Sequence, residues 1–196
     1  MQASEIITEV CKDQPFYETS GGGVTFTGGE PFAQPEFLLT LFQEAKRQGL
    51  HVCVETCGFV RREVLKQAIP YIDLFLYDCK ETNPEQHKKF TGVDNKLILD
   101  NLDFISNLGK RIVLRCPLVP GYNDRQEHLK AIAALANKYS GIIRIDVEPY
   151  HPLGKDKAES IGQIYQIQNS TITSKELTAE WIDTIQQFTD CEVRKG

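Results

Sequence analysis

Apolar residues follow two alternating rhythms along this chain. The first is a set of short runs that are apolar on both faces: residues 23–27 (GVTFT), 51–56 (HVCVET), 73–79 (DLFLYDC), 111–116 (RIVLRC) and 142–148 (IIRIDVE). Such runs predict strands of a parallel sheet covered by helices on both sides. The second is a helical stripe between successive runs. Phe37, Leu38, Leu41, Phe42 and Ala45 form one in a segment that opens at Pro35 and stops at Gly49, and proline in the first turn with glycine past the last marks helix boundaries. Further helices are predicted up to Pro70, over 95–108 with Gly109 as the stop, and over 125–139. The last helix is expected to start at a capping box, Thr173 to Glu176, and to bury Leu177, Trp181, Ile182, Ile185 and Phe188. A sixth strand is expected near Glu192 and Val193.

Strands alternating with helices predict an α/β fold with a parallel sheet or barrel, in one domain over residues 1–196. A full eight-fold barrel takes about 250 residues, so the expected fold is an incomplete parallel (β/α) barrel. The chain opens on a helical stripe, Ile6, Ile7, Val10 and Cys11, where a barrel would open on a strand. A first strand and the loop after it are therefore expected upstream. Residues 150–171 make a long connection, the kind of loop that is often functional in a compact domain.

Composition narrows the function classes. The net charge is −5 and no basic stripe appears, which argues against nucleic acid as a partner. No apolar run approaches the roughly 20 residues that span a bilayer, so no membrane role is expected. The acidic start, MQASEIITEV, lacks the apolar core of a signal peptide. The six cysteines, Cys11, Cys53, Cys57, Cys79, Cys116 and Cys191, are scattered, which suits reduced thiols in the cytoplasm better than a disulfide framework.

In parallel barrels the active site lies at the C-terminal ends of the strands, and here every strand ends in polar chemistry. The ends carry Gly28, Gly29 and Glu30; Glu55 and Thr56; Asp78 and Lys80; Arg115; and Glu148 running into His151. Each also has a structural reading. Gly28 and Gly29 suit a tight strand-to-helix turn as well as a ligand surface. Glu55 and Asp78 can form an ion network with Lys80 or Arg115, and His151 can cap the long loop. His51, His87 and His128 read as surface or strand-edge residues. Cys53 and Cys57 begin a C-x3-C-x2-C pattern, but Val60 occupies the third position, and buried thiols are the better reading. Lys80 beside Asp78 also suits a Schiff-base barrel lyase.

The stretches VTFTGGEPFAQPEF, VETCGFV, DLFLYDCKETNPEQHKKFTGVDNKLILDNL, VLRCPLVPGYND and EPYHPLGKDK resemble, in this order, the radical S-adenosylmethionine (SAM) activating enzymes of glycyl-radical enzymes, the pyruvate formate-lyase activating enzyme group. The resemblance covers nearly the whole chain. It implies that Gly28, Gly29 and Glu30 form the turn at the methionine part of SAM, with Glu30 facing the amino group. It implies that Glu55 and Thr56 lie beside SAM, where the family more often has aspartate, with Asp78 and Lys80 at the next strand end. Glu55, Thr56 and Asp78 would help to hold a monovalent cation. Arg115 would lie on the SAM side of the barrel and His151 near the adenosine.

The implied chemistry is reductive cleavage of SAM through a [4Fe–4S] cluster. The resulting 5′-deoxyadenosyl radical takes a hydrogen from a glycine of a partner glycyl-radical enzyme, with flavodoxin or ferredoxin as electron donor. The family's three-cysteine cluster loop has no match here, so a truncated, inactive form is expected.

Overall fold

The structure is a computed structural model that describes residues 2–152 and 172–196. Most of the long connection 150–171 lies outside the described residues. Among the described residues, six strands are hydrogen-bonded in chain order, β1-β2-β3-β4-β5-β6: β1 Val24–Phe26, β2 Val52–Thr56, β3 Leu74–Asp78, β4 Arg111–Leu118, β5 Ile142–Pro149 and β6 Val193–Lys195. β1 stands at one end of that order and β6 at the other, as in an open sheet. Parallel register aligns Phe26 with Val54 and Thr56 with Tyr77. Eight α-helices alternate with the strands among the described residues: α1 Ala3–Val10, α2 Gln14–Ser20, α3 Pro35–Arg47, α4 Arg62–Ala68, α5 Pro84–Thr91, α6 Lys96–Asn107, α7 Gln126–Lys138 and α8 Lys175–Gln186.

The chain forms two compact units. The first comprises the chain to Asp78, Lys96–Val113 and Tyr139–Ile142. Its core contains Phe42, Val52, Val54, Phe75, Tyr77 and Ile105, all buried. Apolar burial of this kind drives folding at about 25 cal/mol per Å². At the N-terminal strand ends, Asp73 accepts from Lys46 Nζ at 2.8 Å and from the Val52 amide at 2.7 Å. These contacts hold its carboxyl below the ordinary value against the opposing effect of burial, which is the largest single influence and raises it. Gly23 is required where β1 meets β2, because a Cβ there would lie 2.1 Å from the His51 carbonyl oxygen.

The second unit comprises Cys79–Asn95, Leu114–Lys138 and the described part of Ile143–Gly196. Leu118, Ile132, Ile145, Val147, Trp181 and Ile185 fill its core. Its last helix differs from expectation at both ends. Ser174, not Thr173, is the cap, with its side chain accepting from the Leu177 amide, while the Thr173 hydroxyl donates to the Tyr150 carbonyl. Phe188 is 44% exposed, with the Lys130 ammonium 5.1 Å from its ring centroid.

The helix α5 has no apolar stripe to announce it. Its signals are Asn83, whose side chain accepts from the amides of Glu85 and Gln86, then Pro84, then Gly92 in the left-handed region. His87 and His128 are buried, 3% and 1% exposed, not surface residues. His87 Nδ1 lies 2.7 Å from the Val93 carbonyl oxygen, so the ring is held inside by the backbone.

Candidate functional site

The first unit carries six of the nine expected residues on one edge. Phe26 aligns with Val54, which sets Thr27 beside Glu55, and the Thr27 hydroxyl donates to Glu55 Oε2 at 3.0 Å. Thr56 aligns with Tyr77, so Asp78 lies one residue further along the same edge. Gly28, Gly29, Glu30, Glu55, Thr56 and Asp78 therefore share the C-terminal ends of one three-strand ladder. Gly28 has φ 152°, a backbone region that only glycine adopts readily. Side chains added at Gly28 or Gly29 would meet nothing within 4 Å. The turn thus presents bare, exposed backbone.

Glu30 is not a dangling carboxylate. Its Oε1 accepts from the Thr56 hydroxyl at 2.8 Å and the Phe32 amide at 3.2 Å. Its Oε2 accepts from the amide and the thiol of Cys57, both at 3.0 Å. Glu30 therefore ties the turn after β1 to the turn after β2. Thr56 is buried, and its hydroxyl also accepts from the Gly58 amide at 3.0 Å.

The turn after β2 is built tightly. Gly58 has φ 73°, and a Cβ there would lie 1.8 Å from the Tyr77 hydroxyl. Asn101, fully buried, donates to the carbonyls of Gly58 and Val60 at 2.9 and 2.7 Å. Neither the Glu30 staple nor the Asn101 clamp was visible in the sequence, because each partner is 26 or more residues away.

The second unit holds Lys80, Arg115 and His151. Asn123 fixes the backbone here. Its amide nitrogen donates to the carbonyls of Lys80 and Pro117 at 2.8 and 2.7 Å, and its oxygen accepts from the Val119 amide at 2.7 Å. Arg115 donates through two nitrogens to one oxygen of Glu148, at 2.9 and 2.8 Å. Glu148 stood in the strand-end pattern but was assigned no role. His151 is exposed just past β5.

A buried acid went unforeseen. The Glu81 side chain is 1% exposed and pairs with Arg125 at 2.7 Å, while its other oxygen accepts from the Asn83 amide at 2.9 Å. Its neighbour His128 accepts from the Thr82 amide on Nδ1 at 3.1 Å, so the neutral ring carries its hydrogen on Nε2, which has no partner among the described residues. Burial pushes the His128 pKa down to about 4; Glu81 opposes that shift and Arg125 adds to it.

The chain matches the radical SAM superfamily model over residues 5–136. It is 31% identical to the pyruvate formate-lyase 1-activating enzyme of Escherichia coli strain K12, across 94% of this chain and 76% of that protein. The chain belongs to the radical SAM superfamily, among the glycyl-radical-enzyme activating enzymes. It is also 38% identical to the choline trimethylamine-lyase activating enzyme of Oleidesulfovibrio alaskensis, over 87% of this chain and 56% of that one. A crystallised domain of a pyruvate-formate lyase-activating enzyme from Bacteroides vulgatus superposes with TM-score 0.73 at 28% identity, covering 90% of this chain and 99% of the domain. The chain spans about half the length of several curated relatives it matches.

The expected fold class, an α/β incomplete barrel of the radical SAM type, is the observed one. Radical SAM enzymes use SAM and a [4Fe–4S] cluster. The open glycine backbone beside two carboxylates fits the amino-acid end of SAM. The described cysteines do not fit a cluster. Cys53 is buried within β2, Cys57 faces Glu30, and among the described residues no three His, Cys, Asp or Glu side chains are grouped to hold a metal. The Schiff-base alternative for Lys80 is not favoured, since these relatives are activating enzymes. No helix among the described residues is long and apolar enough to cross a membrane.

Proposed function

We propose that this chain is the SAM-binding body of an activating enzyme that generates a glycyl radical on a partner glycyl-radical enzyme such as pyruvate formate-lyase. On this reading the chain as given is inactive by itself, since its described cysteines do not make a cluster site. An electron donor of the flavodoxin or ferredoxin type and a cytoplasmic setting belong to the same reading. The observation that carries it is the ladder edge where exposed glycine backbone, Glu55 and Asp78 stand together.

SAM presents an ammonium, a carboxylate, a sulfonium and an adenosine. Bare backbone at Gly28 and Gly29 lets the amino-acid end approach closely. Glu55 and Asp78 supply the negative charge for the ammonium and the sulfonium, and they hold a monovalent cation together with Thr56. The Thr56 hydroxyl is engaged by Glu30 and Gly58, so the charge for that cation falls on the two acids. Glu30 accepts from Thr56, Cys57 and Phe32, and its part is to hold the glycine turn in position for the ammonium. Lys80 and Arg115 meet the SAM carboxylate and ribose, and His151 the adenosine.

The test is equilibrium dialysis with SAM under anaerobic conditions. Asp78→Asn and Glu55→Gln should each weaken binding about tenfold, in line with loss of a charge-assisted contact, with unchanged circular dichroism. Wild-type affinity in both variants would remove the site assignment. In the cluster-loaded enzyme, electron paramagnetic resonance of the partner reads out the glycyl radical directly, and its absence despite SAM cleavage would remove the activating role.

A further inference from the structure

The residues that follow β3, Cys79 to Asn83, are held at most of their backbone polar groups, all within the second unit. The Cys79 amide donates to the Arg115 carbonyl at 2.7 Å. The Lys80 carbonyl accepts from Asn123 at 2.8 Å. The next two carbonyls, of Glu81 and Thr82, accept from a single nitrogen, Asn95 Nδ2, at 3.1 and 2.8 Å. The Thr82 amide donates to His128 Nδ1 at 3.1 Å, and the Asn83 amide to the Glu81 side chain at 2.9 Å. Arg125 holds the other Glu81 oxygen at 2.7 Å. Asn95, Asn123, Glu81 and His128 are all buried.

A connection after a strand ordinarily runs over the surface and leaves its backbone to water. Here buried side chains take the place of water, and stability does not account for the choice. Burying the Glu81 carboxylate costs desolvation that Arg125 only offsets. His128 Nε2 has no partner among the described residues, and an unpaired buried donor is destabilising. What a satisfied network of buried amides does supply is a single backbone conformation. Lys80 stands at its head. Main-chain bonds on Cys79 and on the Lys80 carbonyl fix the root of the lysine side chain, whichever groups its ammonium meets.

We propose that Asn123 is a positioning residue for Lys80, with Asn95 holding the two residues beyond it. Together they set the strand end so that Lys80 meets SAM without a loop having to order first, and a contact made without that ordering is tighter. The inference rests on the reading that Lys80 meets SAM.

A double-mutant cycle read by equilibrium dialysis with SAM tests it. Lys80→Ala should weaken binding about tenfold. Asn123→Ala should weaken it about three- to fivefold where Lys80 is present, and by less than about twofold in the Lys80→Ala background. Asn137→Ala, which releases the Phe188 carbonyl elsewhere in the unit, should leave SAM affinity at the parental value. Circular dichroism checks that each variant folds. Should Asn123→Ala not fold, Asn95→Ala, which releases the next two carbonyls, reads the same cycle. A merely structural asparagine would weaken SAM binding equally with and without Lys80, and that additivity would overturn the positioning role alone. So would parental affinity in the asparagine variant. Parental affinity in Lys80→Ala would instead remove Lys80 from the SAM site, and the positioning role with it.

Discussion

Replacing Glu30 by alanine should cost fold stability before it costs anything else. The carboxylate accepts from the Thr56 hydroxyl, the Cys57 amide and thiol, and the Phe32 amide. Thr56 is 3% exposed, so water replaces its lost partner poorly. An orphaned buried donor costs about 1–3 kcal/mol, and loss of the cap on the 3-10 turn at Phe32 adds roughly 0.5–2 kcal/mol. Water reaches the half-buried Cys57 amide, so its loss adds little, and the total is about 1.5–5 kcal/mol. For a chain of this size that is a fall in melting temperature of about 3–20 °C. Glu30→Gln keeps one acceptor oxygen and should lose about half as much. Glu55→Ala is the control. Its bond to Thr27 is exposed, and loss of that bond should cost under about 1 kcal/mol. Urea unfolding followed by circular dichroism measures all three. A Glu30→Ala variant within about 0.5 kcal/mol of the parent, or no less stable than Glu55→Ala, would refute the view that this carboxylate ties the two turns together.

Three further outcomes follow from the same geometry. Gly58→Ala should destabilise by at least about 3 kcal/mol, because the added carbon would sit 1.8 Å from the Tyr77 hydroxyl at φ 73°; a soluble variant with parental melting temperature would contradict this. Asn101→Leu frees two buried carbonyls at Gly58 and Val60 but also removes an amide oxygen that has no partner, so the net loss in urea unfolding should be about 1–3 kcal/mol. His128 titrates near 6.5 when unfolded and near 4 in the fold. Below pH 6.5 the unfolded chain therefore binds a proton that the native chain refuses, and stability should fall by about 3 kcal/mol between pH 6.5 and 4. His128→Gln should flatten that slope, and an unchanged slope would exclude His128 as its source.

The strands and the polar residues at their ends were legible because both are local patterns. Alternation of apolar runs with helical stripes placed five strands within two residues of their observed bounds. The helix α5 escaped because His87 is its one buried residue, leaving only caps to mark it. Capping also misled at the last helix, where Ser174 rather than Thr173 caps the Leu177 amide. His87 and His128 were misplaced because a polar ring surrounded by charged residues reads as solvated, whereas contacts to Val93 and Thr82 draw it inside. The polar residues at the strand ends were readable; the contacts among them were not. Glu30 stands in a turn that reads as ligand-facing, and its bonds to Thr56 and Cys57 cross the strand pair.

Asn123 gives the second unit a chemical clock. Its amide ties the backbone at Lys80 to the Pro117–Val119 segment through three bonds. Deamidation would replace a donor by a negative oxygen facing two carbonyls, and the segments that present Lys80 would repel what now binds them. Buried and immobilised, the amide is sheltered from attack by the following backbone nitrogen. Each unfolding excursion lifts that shelter, so heat damage to this unit should accumulate as chemically altered chains that cannot refold, rather than as a purely reversible loss of structure.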